Sequence, residues 1–580
     1  MNGRSGVITL LFFVLLAIVI LLQIFSMMQS DRFYEGLNRL DDILKGGIPI
    51  AGDKNVPKAS SADEEYPGYE GDWLIWSFRV EPKTLNPISA DTDTYAIWIT
   101  IPYIFEPLLT YDFDTVTLKP FLAESYEISF DGLQLTFHLR DDICFSDGVP
   151  VTADDVIFTY ETIINPKVDA ANVASQYVDV QSVLKVDDKT VSFIMKKPYF
   201  KSLENLSFTW SMGIFPKHIY QFTDAGEFNK RRSRPVGSGP YVFEKWDVGR
   251  EIVFARNENY WGTKPKIKKR IFKFITNAVA AVQAIRSGEV DMIIPEPDQY
   301  ADLVADETFK NQFNCLAYYT PDTPFFYIGW NEDTPFFSDR NVRLAMTYMI
   351  NRRQIVDELL KGYGKIVTGP FYIFGPLNDP NVQPWPYDLE YAKKLLDEAG
   401  WVDTDGDGIR DKNGIVFRFK FMYSSENALY QRILKFLKDS CAKVGIDIIP
   451  EPLEWSILIN RLNDRKFDST IMGWGGEILE DPYQIFHSSQ IGNRASNFVG
   501  FRNPEADALI EEIRRTFDDQ KRTLIFQKLH RLLHDQQPYT FLFTRPTFRI
   551  LDKRFQNVII HKLGLNYLEW YVPKELQKYK

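Results

Sequence analysis

Cysteine is scarce in this 580-residue chain: Cys144, Cys315 and Cys441 are the whole set. So sparse an odd number builds no disulfide framework, and each is expected to be a small buried residue. None follows the long apolar run near the start, which excludes an acyl-cysteine lipid anchor. Excess positive charge is lacking too. Lys plus Arg number 67 against 78 Asp plus Glu, a formal charge of −11, so the chain offers no basic face for phosphates and nucleic acid is not expected as a partner. The densest basic run, Lys264–Lys273, leads into a strand pattern and reads as a solvated edge. Catalytic signatures are missing as well. The VGSGP stretch around Ser238 lacks the glycine spacing of a nucleophile elbow, and no glycine loop with a lysine is present to cradle phosphate. His530 and His534 stand four apart on one helical pattern, but Arg531 follows His530 where a zinc protease places glutamate, and leucines surround the pair. Packing explains them better than metal binding. No catalytic residue and no required cofactor are expected, and the chain reads as a non-enzyme.

What is present begins with length: 580 residues and 67.4 kDa exceed what one core organises, so at least two domains are expected. Ser5–Ser30 carries no charge, and Val7–Phe25 is apolar but for Thr9 and Gln23. A helix of that length rises about 30 Å, enough to cross a bilayer core. No small-x-small cleavage site follows it, so residues 7–28 are expected to form an uncleaved transmembrane anchor, with residues 1–6 as a cytoplasmic tail and 29–71 as a linker rich in Pro, Gly, Ser and acid. The body is then expected outside a cell membrane crossed once, in the periplasm or extracellular space.

Within the body, two regions are legible. SYEISFDGLQLTFHLRDD reads as a hairpin turning at Asp131-Gly132, with Leu133, Leu135, Phe137 and Leu139 on one face. A helix capped by Thr152 and a second hairpin at Asp187-Asp188 complete a small α+β unit inserted into a larger one. The stretch Val416–Gly473 alternates strand, helix, strand, helix, strand, which predicts three parallel strands with right-handed crossovers. The last of these, Ser469–Met472, ends in Gly473, Trp474, Gly475 and Gly476 and then in acid. Ligands of α/β sheets bind at the carboxyl ends of strands, so Trp474, Glu477, Glu480 and Asp481 are the candidate ligand-binding residues. A separate acidic stretch, Asp403–Asp411, spaces Asp403, Asp405, Asp407 and Asp411 around Gly408 as a calcium loop would. Its twelfth position is Gly414 in place of a bidentate glutamate, so a structural Ca²⁺ site and a plain acidic turn both fit.

Several segments together carry a family resemblance: AESYEISFDGLQLTFHLRDDICFSDGVPVTADDVIFTYE, SGPYVFEKWDVGREIVFARNENYWG, NVRLAMTYMINRRQIV, YDLEYAKKLLDEAGWVDTDGDGIRDKNG and NFVGFRNPEADALIEE. In this order they resemble the extracellular solute-binding proteins of family 5, over about Asp72 to Lys580. That family includes the oligopeptide- and dipeptide-binding components of ABC importers and relatives for nickel and oligosaccharides. The resemblance implies an α/β, two-lobed periplasmic-binding-protein-like clamshell of type II with an inserted α+β subdomain, here preceded by one transmembrane helix. Lobe I would comprise 72–109, 233–326 and 541–580, the insert 110–232, and lobe II 327–540, with the hinge near Tyr327–Trp330 and Tyr539–Phe543. It also implies a peptide ligand, ABC permease subunits as partners, and closure by hinge motion. In peptide-binding relatives an aspartate three residues after the loop tryptophan receives the peptide's amino terminus. Here that position is Glu477, and an extra residue precedes Asp481-Pro482, so Glu477, Glu480 or Asp481 could take the role. Another small solute, such as an oligosaccharide or chelated metal, and a membrane-tethered sensory or hydrolytic ectodomain of the same fold remain the rival readings.

Overall fold

The structure, a computed structural model, describes residues 69–579 apart from 90, 209–212, 231–232 and 493–494. The expected tail, the anchor over 7–28 and the linker up to residue 68 lie outside the described residues. Among the described residues no helix is long and apolar enough to cross a membrane.

Leu74, Trp76 and Phe78 alternate with Ile75 along the strand Trp73–Phe78, and both sets are buried, which requires a sheet covered on two faces. That strand lies inside a seven-stranded sheet. Its strands run, edge to edge, Phe313–Tyr318, Thr547–Asp552, Met292–Ile293, Trp73–Phe78, Lys269–Phe274, Glu251–Arg256 and Tyr241–Asp247. Trp73–Phe78 is parallel to both neighbours, while the other pairs are antiparallel. The helix Ala278–Arg286 bridges two of these strands; Asn277 caps it by accepting the N–H groups of Val279 and Ala280, and Gly288 ends it at φ +74°. One buried cation ties this first lobe together. Arg554 Nε donates to Asp72 at 2.9 Å and its Nη1 to Asp291 and to Asp552, while Lys578 Nζ adds a bond to Asp552 at 2.6 Å.

The insert is a four-stranded antiparallel sheet in the order Ala123–Ile128, Gln134–Leu139, Thr190–Met195, Val180–Lys185. Gly132 turns its first hairpin at φ +69°, a conformation that favours glycine, and Leu135, Phe137 and Leu139 are buried on one face. The helix Ala153–Ile164 starts in a capping box: Asp155 Oδ2 accepts the Thr152 N–H at 2.9 Å.

The second lobe holds a six-stranded sheet in the order Lys365–Ile366, Tyr539–Thr544, Phe325–Trp330, Ser469–Trp474, Arg418–Ser424, Asp447–Leu453. The last three strands are mutually parallel, joined through the helices Ala428–Ala442 and Trp455–Asn463, as the alternating pattern predicts. Ile433, Leu437 and Val444 turn inward from the first crossover. The stretches Tyr327–Trp330 and Tyr539–Phe543, expected as the hinge, lie in the two strands next to one another in this sheet. The connections between the two large sheets are instead residues 319–324 and 545–546. The linker's last residues are likewise held: Tyr69 stacks on Tyr571 at 4.7 Å, Glu70 pairs with Arg256 at 2.8 Å, and the Gly71 N–H donates to the Lys266 carbonyl oxygen.

Candidate ligand-binding site

The strand Ser469–Trp474 is buried from Ser469 to Met472 and opens at its carboxyl end. On one side it pairs with Phe325–Trp330 along its whole length, from Trp330 opposite Ser469 to Phe325 opposite Trp474. On the other side it pairs with Arg418–Ser424 only at Ser469 and Thr470. Past Thr470 the strand therefore has a ladder on one edge alone. The glycines that follow have different reasons. A Cβ on Gly473 would sit 3.1 Å from the Phe326 ring, and one on Gly476 would sit 2.8 Å from the Pro321 carbonyl oxygen, whereas Gly475 faces open space. Gly476 also donates its N–H to the Asp322 carbonyl oxygen at 3.2 Å, so the loop leans on the 319–324 connection between the lobes.

All four candidate residues lie along one cavity of about 790 Å³, between the loop of the second lobe and the insert segment Ser175–Asn205. Trp474 is half-buried, its indole parallel to the rings of Tyr327 at 6.5 Å and Phe498 at 5.8 Å, with its N–H aimed at the Tyr539 hydroxyl at 3.4 Å. Part of the indole is thus core and only the remainder lines the cavity. Asp481 accepts the Tyr199 hydroxyl at 2.6 Å and lies 3.4 Å from Arg514 Nε. The Arg514 guanidinium in turn covers the rings of Tyr199 at 4.5 Å and Tyr483 at 4.2 Å. Glu477 pairs with Lys201 of the insert, whose Nζ also lies 3.6 Å from Glu204. Glu480 accepts the Glu477 N–H at 3.2 Å.

Electrostatics follow from that packing. Burial pushes the Glu480 carboxyl up to about 8, with the Glu477 charge adding to the shift. Burial alone would depress the Lys201 ammonium, but the carboxylates of Glu204 and Glu477 outweigh it and hold it above the ordinary lysine value. Burial raises the Glu204 carboxyl, with Lys201 opposing. The lining carries six acidic side chains (Asp179, Glu204, Asp322, Glu477, Glu480, Asp481) and three cations (Lys197, Lys201, Arg514); with Glu480 pushed toward its neutral form the acids still outnumber the cations, which favours a solute that offers hydrogen-bond donors.

Lys201, Tyr199, Glu204 and Arg514 were not expected from sequence. The first three come from PYFKSLENL, a stretch with neither strand nor helix period, and they meet the loop across 276 to 282 residues of chain. No local signal marks them.

The other motifs resolve into structure. His530 is buried; its Nδ1 accepts the Asp379 N–H at 2.9 Å, which leaves Nε2 as donor to the Thr368 hydroxyl at 3.0 Å. Burial lowers it to about 4, and His534 beside it is lowered for the same reason while stacking on Trp385 at 5.0 Å. In the acidic loop, Asp403, Asp405 and Asp411 bring carboxylate oxygens within 4.8 Å of one another. Asp407 stands outside that group and accepts the Ile409 N–H at 2.7 Å. Asp403 accepts the N–H groups of Gly406 at 2.7 Å and Gly408 at 3.0 Å, and Asp411 accepts the Thr404 N–H at 2.9 Å and hydroxyl at 2.8 Å, so the loop is bonded within itself.

Comparison with known proteins places these features. The chain is 30% identical over 542 residues to the oligopeptide-binding protein AppA of Bacillus subtilis, covering 90% of this chain and 96% of that protein. The solved structure of AppA in complex with a nonapeptide superposes with a TM-score of 0.74 at 28% identity, covering 87% of this chain and 99% of that one. NikZ from Campylobacter jejuni, solved in complex with Ni(L-His), superposes with a TM-score of 0.72 at 26% identity, over 86% and 99% of the two chains. Residues 117–497 match the family described as bacterial extracellular solute-binding proteins, family 5 Middle. With that match spanning most of the chain, and with two large sheets, an inserted small one and a cavity beside the strand end, this protein belongs to the family 5 bacterial extracellular solute-binding proteins.

Proposed function

We propose that this protein is the substrate-binding component of an ABC importer, a non-enzymatic receptor that binds peptides outside the cytoplasmic membrane and delivers them to permease subunits. The observation that carries the reading is the carboxyl end of the strand Ser469–Trp474. There the ladder is single-edged, Gly475 is open, and the backbone runs into an acid- and aromatic-lined cavity bounded by another part of the chain. A single-edged strand can add an extended peptide by main-chain hydrogen bonds, which accept any sequence, while pockets beside it select side chains. Relatives named for oligopeptides and for dipeptides support peptides as the class. The apolar segment over residues 7–28 would tether the body to the membrane, and the connections 319–324 and 545–546 would act as the hinge between lobes I and II.

Mass spectrometry of what co-purifies with the full chain, followed by calorimetry with synthetic peptides, tests the reading. Recovery of a mixture of peptides, and micromolar or tighter binding of them, is the expected result. Recovery of a metal chelate, with no peptide binding, transfers the reading to the chelated-metal class suggested by the nickel-named relatives. Hydrolysis of the added peptides would overturn the assignment as a receptor.

A further inference from the structure

The cavity beside Trp474 carries a cation of its own. The insert sends Tyr199 and Phe200 into the second lobe, where the Phe200 N–H donates to the Arg514 carbonyl oxygen at 3.1 Å and the Phe200 ring lies under the Arg522 guanidinium at 4.5 Å. Both rings are buried in that lobe's apolar cluster. This anchoring fixes the next residue, Lys201, whose side chain is only 12% exposed and whose Nζ sits between Glu477 and Glu204. The Tyr111 hydroxyl donates to Glu204 at 3.0 Å and completes the cage. The two other acids of the loop are also engaged by the chain, Asp481 by Tyr199 and Arg514 and Glu480 by the Glu477 N–H. An ammonium arriving at Glu477 would have to displace Lys201 or share the carboxylate with a like charge.

We propose that Lys201 is a specificity-determining residue that stands in for the ligand's terminal ammonium at Glu477, so that peptides are recognised without a free amino terminus. The inference rests on the peptide reading above. The cavity lining agrees with it. Gln176, Gln484 and Gln490 share the cavity with Glu477, uncharged amides suited to hydrogen-bonding a peptide main chain. On this reading Glu477 and Glu204 serve to hold Lys201 and the insert in place.

Two synthetic pentapeptide libraries that differ only in an acetyl group on the amino terminus provide the test, titrated by calorimetry into the full chain and into Lys201→Met. The expected result is that the unaltered protein binds both within about threefold, while Lys201→Met favours the free-amine library by about tenfold or more, because Glu477 and Glu204 then lack a cation. A tenfold or greater loss on acetylation with the unaltered protein overturns the inference while leaving the peptide reading intact, as does a Lys201→Met variant whose preference matches the unaltered protein. Binding of neither library overturns the peptide reading and the inference with it. Should Lys201→Met fail to give a cooperative melt, Lys201→Gln replaces it, and the unaltered protein alone still decides the first arm.

Discussion

Arg554 and Lys201 each gather carboxylates from distant parts of the chain, and they differ in what surrounds them. Around Arg554 the partners Asp72 and Asp291 have no exposed surface, and the cation joins the strand at 73–78, the strand at 292–293 and the carboxyl-terminal segment of one lobe. Around Lys201 the partner Glu477 is 53% exposed, and the pair joins two different parts of the protein across a cavity. The chemistry is the same, an ammonium or guanidinium among acids. Burial turns the first into a rivet, because removing any member strands a charge in a low dielectric, while in the second only Glu477 faces solvent and Lys201 and Glu204 stay buried beside it.

Breaking the rivet should have the largest effect. Arg554→Met leaves Asp72 and Asp291 buried without a counter-charge and should cost about 3–5 kcal/mol, read as a shift in the urea midpoint at unchanged slope. An effect below about 1 kcal/mol would erase the contrast. At the cavity, Tyr199→Phe removes only the hydroxyl bonded to Asp481 and should cost about 1.5 kcal/mol in the same measurement, since that hydrogen bond is made to a charged group.

Proton linkage separates the regions further. The Glu480 carboxyl is raised to about 8 from 4.5, so its contribution to stability is full below about pH 4.5 and is lost as pH rises through 8. Glu480→Gln should flatten that slope without touching the acid side. His530 is lowered to about 4 from 6.5, so the stability tied to its neutral ring is full above pH 6.5 and is lost as pH falls through 4. Thermal melts across pH 4 to 9 check both signs at once. The smallest effect is expected at the acidic turn. Its carboxylates are already bonded to backbone N–H groups, so calcium at about 1 mM followed by chelator should leave the melting temperature unchanged. A reproducible rise with calcium would instead make Asp403, Asp405 and Asp411 a structural site.

Legibility from sequence follows the range of the interactions. The insert's hairpins and the parallel strands at 418–424, 447–453 and 469–474 could be read because turn residues and apolar periods are local, and Trp474 lands at a strand end for the same reason. That Phe325–Trp330 and Tyr539–Thr544 belong to the six-stranded sheet was not legible, because an apolar run gives no mark of which sheet it joins. Glu477, Glu480 and Asp481 are equal candidates in sequence for a ligand's amine; that Glu477 pairs with Lys201 is not legible, because Lys201 is 276 residues away in a stretch without periodicity.

The amino-acid sequence by itself determined the hairpins of the insert, the alternating strands and helices of the second lobe and the acidic loop after Trp474, since each depends on neighbours along the chain. Only the tertiary structure decided what those acids face. Whether a carboxylate is free, caged by a lysine or pushed toward its neutral form depends on which distant side chains share its low-dielectric surroundings, and that is settled by how the insert packs against the second lobe.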